Sequence, residues 1–154
     1  MSSAVDRVGS RVQAPAIAGQ ASTSASGPIA LFGRILFSAI FLQAGVTHFA
    51  PQVIGYAASA GVPMASVAVP LSGVIAMVGG LSVALGYRAR FGAWLLVLFL
   101  VPVTVMLHAF WAVKDPMMAQ MQFAMFMKNL AMLGGALLIT QLGPGPMSLD
   151  ARKG

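Results

Sequence analysis

Four apolar runs, over about 29–49, 64–85, 91–113 and 120–140, dominate this chain, and each is long enough to cross a bilayer as a helix. Roughly 20 helical residues cross a hydrocarbon core. Inside it, only helices and closed barrels satisfy their own backbone groups. Of the 154 residues, 58% are hydrophobic and 8% charged, against about 25% charged in soluble domains. So little charge cannot clothe a water-facing surface. The expected fold is an all-α membrane bundle of four antiparallel transmembrane helices.

The breaks between runs set the connections. Pro51 stops the first helix. The stretch 52–63 is too polar, and too broken by Gly and Pro, to span; it reads as a short interfacial segment turning at Gly61-Val62-Pro63. Gly86 to Arg90 is short and basic, which makes the second and third helices antiparallel neighbours. Pro102 is expected to kink the third helix. Gly143-Pro-Gly-Pro146 ends the fourth ahead of a polar tail over 143–154. Residues 1–28 are rich in Ala, Ser and Gly and lack the continuous apolar core of a secretory signal. A disordered cytoplasmic tail is expected there.

The net charge is +6, but the basic residues flank apolar runs rather than cluster, so the excess reads as membrane orientation and not nucleic-acid binding. Arg7, Arg11, Arg34, Arg88, Arg90, Arg152 and Lys153 fall on one side and Lys114 on the other. By the positive-inside rule both termini are cytoplasmic. With no cysteine, disulfides and thiolate metal sites within the chain are excluded.

The residues with chemistry to offer lie inside the spans. Lys128 and Asn129 sit within the last run. A lysine at that depth costs roughly 2.5–3.5 kcal/mol on insertion scales and normally faces a partner or a wet pocket. No span contains an acid, because the acids are Asp6, Asp115 and Asp150. Either Lys128 snorkels towards Asp115 and the headgroups, or it turns inward to hold a carbonyl or anionic ligand, for which a quinone or a lipid phosphate is suitable. Gln43, Thr104, His108 and His48 fall in the same outer half and complete that candidate ligand site, Thr104 and His108 four apart on one helical face.

Histidines His48 and His108 at matched depth are compatible with b-type haem, though boundary residues are the commoner reading; a protein-only metal site lacks further ligands. Arg34 reads as an interfacial anchor or lipid-phosphate ligand, or as a structural bond to another helix. Small residues at Gly73, Ala76, Gly80 and Ala84 form a stripe for close helix contact, and Gly135 is given a similar structural role. Met118, Met121, Met125 and Met132 recur at helical spacing and read as adaptable packing.

The ordered series of motifs resembles the DoxX family of small bacterial inner-membrane proteins. It comprises Gly33-Arg-Ile-Leu-Phe-Ser-Ala-Ile-Phe-Leu-Gln-Ala-Gly45, Tyr56-Ala-Ala-Ser-Ala-Gly-Val-Pro63, Gly79 to Gly86, Lys128-Asn-Leu-Ala-Met-Leu-Gly-Gly135 and Gly143 to Asp150. The resemblance implies a four-helix bundle in a bacterial inner membrane. It also implies an accessory subunit of a quinone-linked redox system, binding quinone or a membrane or soluble redox enzyme and not catalytic alone. Two positions depart from that pattern: Ala76 stands where many members have a glutamate, and His48 where a lysine is usual. The alternatives are a non-enzymatic interaction or stress-related membrane protein, which can form homo-oligomers through its small-residue stripe, and a small-molecule or lipid carrier.

Overall fold

The structure, a computed structural model, describes residues 18–152, with side chains from 26 onward. The expected disordered tail therefore lies largely outside the described residues. Five helices follow one another: α1 (Ala18–Thr47), α2 (Pro51–Ser59), α3 (Ala65–Leu85), α4 (Ala89–Leu107) and α5 (Pro116–Leu142). One turn of 3-10 helix, Phe110–Ala112, links the last two. Within these, Ser26–Thr47, Ala65–Leu85, Ala89–Ala112 and Pro116–Leu142 are long and apolar enough to cross a membrane. No strand occurs among the described residues. The chain is a multi-pass, all-helical membrane protein, as its apolar runs require.

Local chemistry fixes the ends. Pro51 and Pro116 open α2 and α5, where their missing N–H groups cost nothing. The Asp115 side chain caps α5 by accepting from Met118 N at 2.8 Å. Gly86, at φ 63°, closes α3 in the left-handed region.

The helices pack in the order α1, α3, α4, α5, each against the next, with α2 lying on α3. Glycines permit the closest approaches. A Cβ on Gly73 would stand 2.8 Å from His48 Cβ, and one on Gly80 would stand 3.2 Å from Phe41 Cβ, so α1 lies directly on this face of α3. Gly79, on the adjoining face, meets Gly92 and Leu96 of α4. The small-residue stripe is thus occupied within the chain, and Ala76 is fully enclosed in the core with Phe41, Leu96 and Phe99. At the two ends of the series, α1 and α5 approach mainly through side chains, with Phe37 set against Gly135. That leaves a seam.

At the end of the bundle that carries the tail, residues 143–150 fold back as a clasp. Arg34, 5% exposed, donates to the carbonyls of Pro144, Pro146 (3.3 Å) and Met147 (2.8 Å). The Asp150 carboxylate accepts from Arg88 N at 2.8 Å and Ala89 N at 3.0 Å, capping α4. Backbone bonds from Leu149 N to Leu85 O and from Asp150 N to Gly86 O complete the attachment. Arg34 here bonds another part of the chain.

One expectation changes at the opposite end. The third run was expected to stay helical to about residue 113, but α4 ends at Leu107 and His108 takes a non-helical conformation at φ −120°. Thr104 and His108 therefore do not share a helical face. The cause is polar: His108 leaves the helix to join a hydrogen-bonded network.

Candidate functional site

That network ties three elements together. The Tyr56 hydroxyl of α2 donates to Leu107 O at 3.2 Å, so its oxygen accepts from Gln122 Nε2 at 3.1 Å. The amide oxygen of Gln122 then faces His108 Nδ1 at 2.8 Å, which must carry the proton. A parallel argument fixes His48. Ser72 donates to Val69 O at 2.7 Å, so its hydroxyl oxygen accepts from His48 Nδ1 at 3.1 Å. Both imidazoles are held in the Nδ1–H tautomer, with Nε2 as the uncommitted nitrogen. The His48 ring also rests on Phe99, centroids 5.5 Å apart.

His48 and Val103 separate two cavities. One, of about 220 Å³, is walled by Val53, Val69, Pro102, Met106 and Leu107 and is almost wholly apolar. The other, of about 140 Å³, lies between α1, α4 and α5 and brings together His48, His108, Lys128 and Asn129 over an apolar floor of Phe41 and Phe99. It is far too small for a haem. Four of the six residues expected to form a ligand site meet here. The other two do not: Gln43 is exposed on α1, and Thr104 is buried in α4 away from the lining.

Asn129 and Lys128 occupy the two sides of this cavity differently. Asn129 is 4% exposed and its side-chain amide has no hydrogen-bond partner among the described residues. The buried side-chain atoms without a partner among the described residues are Arg34 Nε and Ser38 Oγ, so the Asn129 amide opens onto the cavity. Lys128 sits at the rim, exposed, and its amine reaches back only to Met125 Sδ at 3.5 Å. A thioether is a weak acceptor for an ammonium. The cavity thus offers an ammonium and an amide with no carboxylate among its lining residues; its own acceptors are neutral, Asn129 Oδ1 and the imidazole Nε2 atoms.

Sequence reasoning missed Tyr56 and Gln122 as the residues that orient His108. Two polar side chains at the edge of apolar helices were the available signal. It also missed the capping role of Asp150, which depends on a contact 62 residues distant in the chain.

A family model described as the SURF4 family matches residues 16–154. The chain is similar to the ER-derived vesicles protein ERV29 of Saccharomyces cerevisiae, 30% identical over 80 residues, which is 52% of this chain and 26% of that protein. It is similar to the inner membrane protein YphA of Escherichia coli, 29% identical over 128 residues, or 79% of this chain and 88% of that one. A Surfeit locus protein 4 homolog of Drosophila melanogaster is 33% identical over 73 residues, 46% of this chain and 27% of the relative. The matched part is about a quarter of the yeast and fly proteins. No solved structure matches significantly.

These matches overturn the resemblance to the DoxX family. The quinone-linked accessory role and the oxidoreductase association rested on that resemblance and fall with it. The physical reason lies in the motifs. Gly79-Gly80, Lys128 to Gly135 and Gly143 to Asp150 are mostly Gly, Leu, Ala and Pro. In the structure they make helix contacts and the tail clasp, tasks that any small membrane bundle must perform.

Proposed function

We infer a function from the premise that the chain belongs to the SURF4 family. It is a membrane binding protein whose cavity between α1, α4 and α5 holds the carboxylate end of a single-chain amphiphile, with the apolar chain along the α1/α5 seam. Among its relatives are one named for ER-derived vesicles and one named for an inner membrane, so the property common to them is residence in a bilayer.

The observation that carries this reading is Asn129, a buried residue whose amide opens without a protein partner onto a cavity, beside an ammonium without an acid. A carboxylate accepts from both at once. Its charge also removes much of the penalty of holding Lys128 in lipid. The apolar floor and the lipid-facing seam suit an acyl chain and exclude a water-soluble guest.

The test compares oleate with its methyl ester on the purified, delipidated protein by titration calorimetry. Oleate should bind saturably and the ester at least about tenfold more weakly, since one charge-assisted hydrogen bond is worth roughly 1.5–3 kcal/mol. Asn129→Leu should weaken oleate about tenfold, because it deletes the amide that donates to the carboxylate. Equal binding of acid and ester, or Asn129→Leu leaving oleate affinity unchanged, would overturn the reading.

Both termini belong on the cytoplasmic side of an inner membrane, a placement supported by the arginines gathered at the clasp end against Lys114 alone at the other. Because the chain has no cysteine, single-cysteine variants report this directly. In intact cells a membrane-impermeant maleimide should label Lys114→Cys and spare Lys153→Cys. The reverse pattern would invert the topology.

A further inference from the structure

The clasp end holds a cavity of about 610 Å³ between the start of α4 and the end of α5. Arg88 and Arg90 line it, with Phe91, Leu142, Gly143 and Asp150. The one acid present is already committed, since both Asp150 oxygens accept from backbone N–H groups of α4. Neither arginine forms an ion pair among the described residues; Arg88 only leans over the Tyr87 ring, 6.0 Å from its centroid. The guanidinium of Arg90 lies over Gly143, its Nε 3.4 Å from where a Cβ would stand, so a larger residue there would crowd it. On the deeper side the surface turns apolar at once: Phe91 is 61% exposed and Leu142 76%.

We propose that this cavity binds one anionic phospholipid, its phosphate between Arg88 and Arg90 and its acyl chains against Phe91, Leu142 and the exposed Trp94. Two guanidiniums without an ion pair at a membrane boundary, against the single carboxylate of Asp150, leave a net positive charge and present the forked donors that a phosphodiester accepts bidentately. Basic pockets between helices at such a boundary are suited to anionic headgroups. The apolar strip beneath them selects a lipid over a free phosphate. This site lies at the opposite end of the bundle from the His48–Asn129 cavity and stands or falls independently of it.

Native mass spectrometry of the delipidated full chain, titrated with phosphatidylglycerol, phosphatidylcholine or glycerol phosphate, tests the proposal. A single phosphatidylglycerol adduct should survive at collision energies that strip phosphatidylcholine, and glycerol phosphate should not displace it. Arg90→Gln and Arg88→Gln should each weaken retention about fivefold. Arg152→Gln, an equal charge change outside the cavity, should leave retention unaltered. Equal retention of the two phospholipids overturns the proposal without any variant. So does displacement by glycerol phosphate, which would mean a site for soluble phosphate, and so does an Arg152→Gln loss as large as that of Arg90→Gln, which would mean that net charge alone decides.

Discussion

Replacing Gly92 by valine should cost the bundle about 3 kcal/mol or more, the upper end of the range for overpacking. A Cβ at Gly92 would stand 2.3 Å from Ser82 Oγ, 2.4 Å from Ser82 Cβ and 3.0 Å from Gly79 O. Ser82 cannot swing away freely, because its hydroxyl donates to Tyr87 O at 2.6 Å and so holds the turn between α3 and α4. Nor can the backbone oxygen yield. A Cβ at Gly79 would lie 2.9 Å from Gly92 O, so each helix abuts the other's main chain. The helices must separate, and the core cluster of Val83, Ala93 and Leu96 opens with them. Thermal unfolding in detergent should show a midpoint lower by roughly 6–12 °C. Gly134→Val is the matched control. Nothing lies within 4 Å of a Cβ at Gly134, and in a helix valine has a better intrinsic propensity than glycine. If Gly92→Val and Gly134→Val behave alike, close contact between α3 and α4 is not what holds the bundle.

The same pair of glycines marks how far the sequence could be read. Four membrane-crossing helices follow from run length and charge poverty alone, since lipid admits few alternatives. The small-residue stripe on α3 was legible from its spacing, but its partner was not. Gly92 sits in a run that carries no comparable stripe, and only the packed helices show that it faces Gly79. The candidate site was half legible. Lys128, Asn129, His48 and His108 stood out as polar groups in apolar helices, and they do converge. Gln43 did not join them because helical phase turns it outward; Thr104 is still inside α4 and buried in its packing, and only His108 lies past the point where α4 unwinds. That unwinding depends on Tyr56 and Gln122, 51 and 14 residues away from their partners, and no local pattern encodes such pairings. The family assignment failed for a related reason. Motifs built of Gly, Leu and Pro report how a chain packs and turns. They carry little information on chemistry.

Arg34→Met should release the C-terminal clasp. The guanidinium is 5% exposed and serves the carbonyls of Pro144, Pro146 and Met147. Methionine fills similar space but leaves those acceptors unserved in a buried setting. Each lost hydrogen bond to a charged group is worth roughly 1.5–3 kcal/mol, and losses at one shared donor do not add fully. About 3 kcal/mol against the docked tail is a fair expectation. Ser148 provides the readout. It is 1% exposed and packs against Gly86, so a cysteine placed there, in a chain with no other, should be protected from maleimide while the clasp is closed. Adding Arg34→Met should raise the labelling rate about a hundredfold, the kinetic equivalent of about 3 kcal/mol when opening precedes reaction. Asp150→Asn should raise it far less, because an amide still accepts one of the two backbone N–H groups of α4. Protection that survives in the Arg34→Met background would mean that the bonds of Leu149 and Asp150 to Leu85 and Gly86 are enough to hold the tail. The buried arginine would then be retained for something other than the clasp.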